Sequence, residues 1–326
     1  MLSPRNLLHR SVPALALGTL LLAQTGCSTL GSVAKDAIED RRSDKLRSEM
    51  IERQRGRDAA MAQANDEPDL SVNDHLRAGD RLRDQGEISK AALSYLRAHW
   101  AEEDTDAGTR RLAFLALRKD PQQSLELFTG LLAENPDDAL LLTGLAVAQI
   151  ERGDLDRARM ALLEALDGTS EAGPRSQIQE LLGIVYDRLA QHTKAQHHYE
   201  LALEQRPSDP RLLNNLGVSY LLGRNYTEAA SQFEEALAAG ASDPATHNNL
   251  GLAYGFASRY SEAMRAFRRV GTPGDALNNM GYLLFLQGRH AKALDFYEKA
   301  ILANDTNERR VLENIALLER VRAETH

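Results

Sequence analysis

Three histidines, one cysteine and three asparagine pairs are the residues of this chain whose types and spacing could do chemistry. His192, His197 and His198 form the one histidine cluster, and imidazole is a common metal ligand. Two ligands on one helix face need a separation of three or four residues. These are separated by five, six and one, so they read as solvated surface and no metal site is expected. No glycine-rich loop closes on Lys-Ser or Lys-Thr, and no His-Glu-x-x-His occurs. The carboxylates are scattered along helix-forming segments. The expectation is therefore no catalytic residue, no cofactor and no enzyme. The asparagines differ, because they recur: Asn214-Asn215, Asn248-Asn249 and Asn278-Asn279. An amide both donates and accepts, so a row of them could bond the backbone of an extended peptide whatever its sequence.

The lone cysteine, Cys27, follows a basic start (Arg5, His9, Arg10) and an uncharged apolar run from Val12 to Ala23. That run is too short to stay in a bilayer as a permanent span. With Thr25 and Gly26 before Cys27, the segment resembles a bacterial lipoprotein signal. The resemblance implies a signal peptide over 1–26, diacylation of Cys27 and a membrane held through that lipid anchor. Gln24 departs from the leucine usual in that family. Ser28 after the cysteine implies the periplasmic side of the outer membrane. Cys27 could instead be an ordinary residue beside a signal cut elsewhere, or part of an uncleaved anchor.

The chain has 39 basic and 47 acidic residues, and loss of Arg5 and Arg10 with the signal leaves 37 against 47, a net charge of −10. Phosphate binding needs clustered Lys and Arg, so nucleic acid is not an expected partner. From Ser28 to about Asp69 large apolar residues are few and charges alternate, as in Asp40-Arg41-Arg42 and Glu52-Arg53. Residues 27–71 thus read as an acylated N-terminus and polar tether. About forty residues of coil would span roughly 35 Å, and thirty of them as helix about 45 Å.

Beyond the tether the sequence repeats itself. Leu182-Gly183-Ile184-Val185-Tyr186, Leu216-Gly217-Val218-Ser219-Tyr220 and Leu250-Gly251-Leu252-Ala253-Tyr254 have glycines 34 apart. Twelve residues after each glycine comes Ala195, Ala229 or Ala263; four later Tyr199, Phe233 or Phe267; three later Ala202, Ala236 or Val270. Weaker copies start at Gly79, Leu112, Ala146 and Gly281. The last is four residues short, assigned to a turn at Gly271-Thr272-Pro273-Gly274, and three extra residues ahead of Gly183 are assigned to a loop from Gly168 to Pro174.

This pattern resembles the tetratricopeptide repeat at its glycine, tyrosine, alanine, aromatic and second alanine, and Pro207 sits at the family's repeat-ending proline. The resemblance implies an all-α fold: a right-handed superhelical solenoid of about seven helix hairpins over 72–307. Gly217 is expected to meet Ala229 where two helices cross, with the aromatic wedged between helices. Residues 308–326 read as a C-terminal capping helix with Val311, Leu312, Ile315, Leu318 and Val321 on its buried side, as the end of a stack requires.

In this family the first helix of each hairpin lines a concave groove. The resemblance therefore puts the three asparagine pairs on that face. Behind them stand Val218, Leu221, Leu222, Leu252, Phe256, Tyr282, Phe285 and Leu286. The sites expected to hold a partner are Asn214, Asn215, Asn248, Asn249, Phe256, Asn278, Asn279, Tyr282 and Phe285. A second reading stays open, in which the amides bond neighbouring helices and the apolar residues are core. Gln177, Glu180, Asp187 and Arg188 would make the other end of the groove polar. A lipoprotein of such repeats resembles the TadD-type tight-adherence (Flp) pilus assembly lipoproteins, which implies a scaffold that assists a pilus or secretion complex. The alternative is an NlpI-like adaptor recruiting peptidoglycan hydrolases. Either way the partners are envelope proteins, engaged through a peptide or helix.

Overall fold

The computed structural model describes residues 71–101, 106–117, 119–304 and 306–324. The signal peptide, the acylation of Cys27 and the tether before residue 71 lie outside the described residues. The regular structure among the described residues is all helical, fifteen helices and no strand. No helix among them is long and apolar enough to cross a membrane. They fall into two compact units, divided between Gly168 and Thr169.

The N-terminal unit is three hairpins: α1 (Val72–Asp84) with α2 (Ile88–Ala101), α3 (Ala107–Ala116) with α4 (Pro121–Glu134), and α5 (Ala139–Arg152) with α6 (Leu155–Asp167). The C-terminal unit is four hairpins and a final helix: α7 (Ala172–Arg188) with α8 (His192–Gln205), α9 (Pro210–Leu222) with α10 (Tyr226–Ala238), α11 (Pro244–Phe256) with α12 (Tyr260–Phe267), α13 (Pro273–Leu286) with α14 (His290–Leu302), then α15 (Glu308–Glu324). Within each unit the expected hairpin fold is what forms.

Capping chemistry starts the first helices. Asp209 accepts from the backbone of Arg211 and Leu212 at 2.9 and 3.2 Å, with Pro210 at the first helical position. Asp243 and Pro244 repeat this at α11. A carboxylate there satisfies amides the helix cannot, and proline is preset for the helical φ. Thr272 and Asp275 bond each other's backbone N–H at 3.1 and 3.2 Å, closing a capping box around Pro273. This corrects the expected turn: Pro273 and Gly274 belong to α13, and the four missing residues come from α12, which stops at Phe267. Val270 lies beyond that helix. Likewise Ala172 to Pro174 are the first turn of α7, a 17-residue helix, and not loop.

The repeated small residues make the core. Ala195, Ala229, Ala263 and Ala293 are fully buried, as are Ala202, Ala236 and Ala300. A β-carbon on Gly217 would lie 2.7 Å from the Phe233 ring, so the ring takes the glycine's missing volume. Gly183 receives Tyr199, Gly251 receives Phe267 and Gly281 receives Tyr297 in the same way. In the N-terminal unit Leu112 stands where the glycine would be and packs toward Tyr95 and Ala98. With that notch filled, the Phe128 ring turns to Gly144 of α5, where a β-carbon would be 2.3 Å away. Ser124, in the alanine's place, donates to the Ala113 carbonyl at 2.8 Å.

Candidate protein-binding surface

The histidines and carboxylates of α7 to α9 tie helices together. Asp187, almost fully buried, accepts from His192 Nδ1 at 2.9 Å and from Ser219 Oγ at 2.8 Å. Serine, histidine and aspartate meet here, but the serine donates to the aspartate. It is not placed to give its proton to the imidazole, as nucleophilic catalysis requires. Burial pushes the Asp187 carboxyl up, against the pull of those donors. Glu180, also buried, accepts from Arg206 at 2.9 Å and Arg211 at 3.1 Å, joining α7 to the start of α9. His198 stacks on Tyr186 with ring centres 5.0 Å apart and its Nδ1 lies 2.5 Å from Gln179 Oε1. Burial, then the neighbouring His197, lowers its pKa to about 4. No group of His, Cys, Asp and Glu among the described residues is placed to hold a metal ion. Of the polar end, Gln177 and Arg188 are exposed, while Glu180 and Asp187 are buried in these pairs.

The asparagines bond one another. Asn249 Nδ2 donates to Asn214 Oδ1 at 3.4 Å, and Thr246 Oγ1 approaches the same oxygen at 3.3 Å. Asn279 Nδ2 donates to Asn248 Oδ1 at 2.9 Å, and Asn314 Nδ2 to Asn278 Oδ1 at 2.9 Å. The bonds join α9 to α11, α11 to α13 and α13 to α15. Asn248, Asn249 and Asn278 retain 6%, 1% and 2% of their exposure, so they offer a partner almost nothing. In the structure the amides of Asn248, Asn249, Asn278 and Asn279 clamp adjacent first helices, as the second reading has it. Asn214, Asn215 and Asn279 are half-buried. Sequence reasoning misses Asn314, since it stands alone in α15 with no paired asparagine to mark it.

The apolar residues divide. Val218, Leu221 and Leu222 are core, exposed by 4%, 2% and 8%. Leu252, Phe256, Tyr282, Phe285 and Leu286 keep part of their surface. Phe256 stacks on Tyr226 with centroids 5.1 Å apart, Tyr282 lies 6.2 Å from Phe285, and Phe285 5.9 Å from His290. Burial raises the Tyr282 hydroxyl pKa. Each ring has an aromatic neighbour and keeps part of its surface exposed, which suits contact with a further apolar group.

Models of the tetratricopeptide repeat match residues 115–183, 181–244 and 274–307, together about half of the chain. No curated protein matches. Among solved structures, a tetratricopeptide repeat protein from Parabacteroides merdae is 17% identical, with a TM-score of 0.56 over 76% of this chain and 98% of its own. Pseudomonas aeruginosa pilF is 18% identical, with a TM-score of 0.54 over 66% of this chain and 91% of that one. The APC/C hetero-tetramer Cut9-Hcn1 contains a chain of 18% identity and TM-score 0.54, covering 74% of this chain and 48% of that chain. At such identities the likeness is one of fold.

Proposed function

Because the chain belongs to the tetratricopeptide repeat proteins, whose hairpins form protein–protein interaction scaffolds, we propose that it is a lipid-anchored, non-enzymatic scaffold of the bacterial envelope. It holds a segment of a pilus or secretion component against the first helices of its C-terminal unit. Cys27 carries the anchor on the periplasmic side of the outer membrane. The envelope reading rests on the residues around Cys27 and on the resemblance to tight-adherence pilus lipoproteins. No catalytic family is among the matches.

One observation carries the binding reading: Leu252, Phe256, Tyr282, Phe285 and Leu286 stay partly exposed on adjacent first helices whose relative position the asparagine bonds fix. Apolar surface removed from water contributes about 25 cal/mol per Å² before ordering costs. Aromatic anchors dominate such interfaces, and a rigid strip loses less entropy on binding than a mobile one.

The test is site-specific crosslinking in cells. A photoreactive residue replaces Phe285, and a second variant carries it at Glu235 on the exposed face of α10. Crosslinks from position 285 to a pilus or secretin subunit, with none from 235, support the proposal. Equal crosslinking from both, or crosslinks from 285 to cell-wall hydrolases alone, overturns it.

A further inference from the structure

The row that carries the aromatic strip ends on α7 in a charge. Phe256 and Leu286 stand five residues after Gly251 and Gly281, Leu222 five after Gly217, and Arg188 five after Gly183. Four adjacent first helices thus bring Arg188, Leu222, Phe256 and Leu286 into one row. Leu222 is nearly buried, and the other three are open to solvent at least in part. A second arginine, Arg211, belongs to the same end. It pairs with Glu180, but Arg206 holds that carboxylate too, at 2.9 Å, and the Arg211 side chain stays 67% exposed. Carboxylates are distributed the other way. Helices α7, α9, α11 and α13 carry only Glu180, Asp187 and Asp275. Each is tied within the chain: Glu180 to its two arginines, Asp187 to His192 and Ser219, Asp275 to Thr306 and Arg310. The second helices α8, α10 and α14 instead expose Glu204, Glu228, Glu235 and Glu298. In a chain with 47 acidic and 39 basic residues, these first helices keep no carboxylate for solvent and offer arginine.

Resting on the reading of this groove as the binding face, we infer that the partner segment is acidic at one end and apolar at the other. It lies across the first helices with its carboxylates over Arg188 and Arg211 and its apolar side chains on Phe256, Tyr282 and Phe285. Adjacent packed helices stand about 10 Å apart. Arg188 on α7 and Phe256 on α11 are two such steps from each other, and an extended chain covers the roughly 20 Å in about six residues. The partner therefore carries its acidic residues about six positions from its first aromatic or leucine anchor. Charge also works against the opposite choice. A basic segment is repelled by the arginines and drawn to the exposed glutamates of the second helices, away from the apolar strip.

The probes are two fluorescent synthetic peptides with the same apolar half of leucine and phenylalanine. One carries two glutamates about six residues from that half, the other two lysines, and each is made in both sequence directions. Fluorescence anisotropy with the full chain should show the glutamate peptide binding about tenfold tighter or more. Its affinity should fall as salt rises, although protein and peptide are both acidic. Arg188→Gln with Arg211→Gln should erase the preference, while Phe285→Ala weakens both peptides. Glu180 keeps Arg206 in the double variant, and thermal melting checks its fold; if it fails to fold, Arg188→Gln alone, at an exposed position, reads the same preference. Equal binding of the two peptides, or a glutamate preference that survives the arginine substitutions, overturns the inference and leaves the groove reading standing. A glutamate peptide that does not bind overturns it as well, with the groove still judged by crosslinking from position 285. Binding indifferent to Phe285→Ala overturns both.

Discussion

The ring of Phe233 lies in the space that a side chain at Gly217 would need, 2.7 Å from where its β-carbon would be. Both residues are buried in the third and fourth elements of the C-terminal unit. Gly217→Leu should therefore destabilise this unit by about 1–3 kcal/mol or more, the range typical of overpacking. Gly130 is the control: it is an exposed helical glycine with nothing within 4 Å of a β-carbon. Gly130→Ala should raise stability by about 0.5–1 kcal/mol. Urea denaturation followed by circular dichroism reads both. A Gly217→Leu midpoint equal to wild type would mean the ring does not depend on the notch.

The asparagine bonds predict a pattern of non-additivity. Asn278→Leu removes the acceptor of Asn314 Nδ2, a donor on a residue only 4% exposed. An unsatisfied buried donor costs about 1–3 kcal/mol. Replacing Asn314 by leucine as well removes that orphan. The double variant should be less destabilised than the sum of the two singles, in a double-mutant cycle by chemical denaturation. Strict additivity would show that the two amides are not coupled.

His198 predicts a pH dependence. Its folded pKa is lowered from 6.5 to about 4, so between those values the unfolded chain binds the proton and the folded chain does not. The contribution is full above pH 6.5 and is lost as pH falls toward 4. The urea midpoint of wild type should drop from about pH 7 to about pH 5 by more than that of His198→Phe, which keeps the ring against Tyr186 and cannot titrate. Parallel profiles would remove His198 as the cause. An NMR titration locates its pKa directly.

Cys27→Ser should release the protein from the membrane fraction and abolish labelling by a radioactive fatty acid, because serine cannot form the thioether that carries the diacylglycerol. Label retained by the serine variant, or absent from wild type, would end the lipoprotein proposal without touching the fold.

What is legible in the sequence follows from spacing. Glycine, alanine and aromatic recur at fixed intervals because each hairpin solves the same packing problem locally, with its own second helix. The hairpins from Gly183 onward can be counted from those intervals alone. Even the faint second copy forms, with Ser124 and Phe128 finding other partners than the pattern implies. The sequence also marks the asparagine pairs and the aromatic strip as special.

Which of those residues face a partner is decided between repeats. An amide on a first helix can reach across a groove or along to the next helix, and its type and spacing are the same in both cases. Only the distance between α9, α11, α13 and α15 makes Asn249 and Asn279 close on Asn214 and Asn248. The same inter-helix spacing buries Val218 while leaving Phe256 half open, and buries Asn314 while turning Leu312 to solvent. Periodicity fixes a residue's angle on its own helix. How far away the neighbouring helix lies is set by every side chain between them, and that is a property of the packed unit.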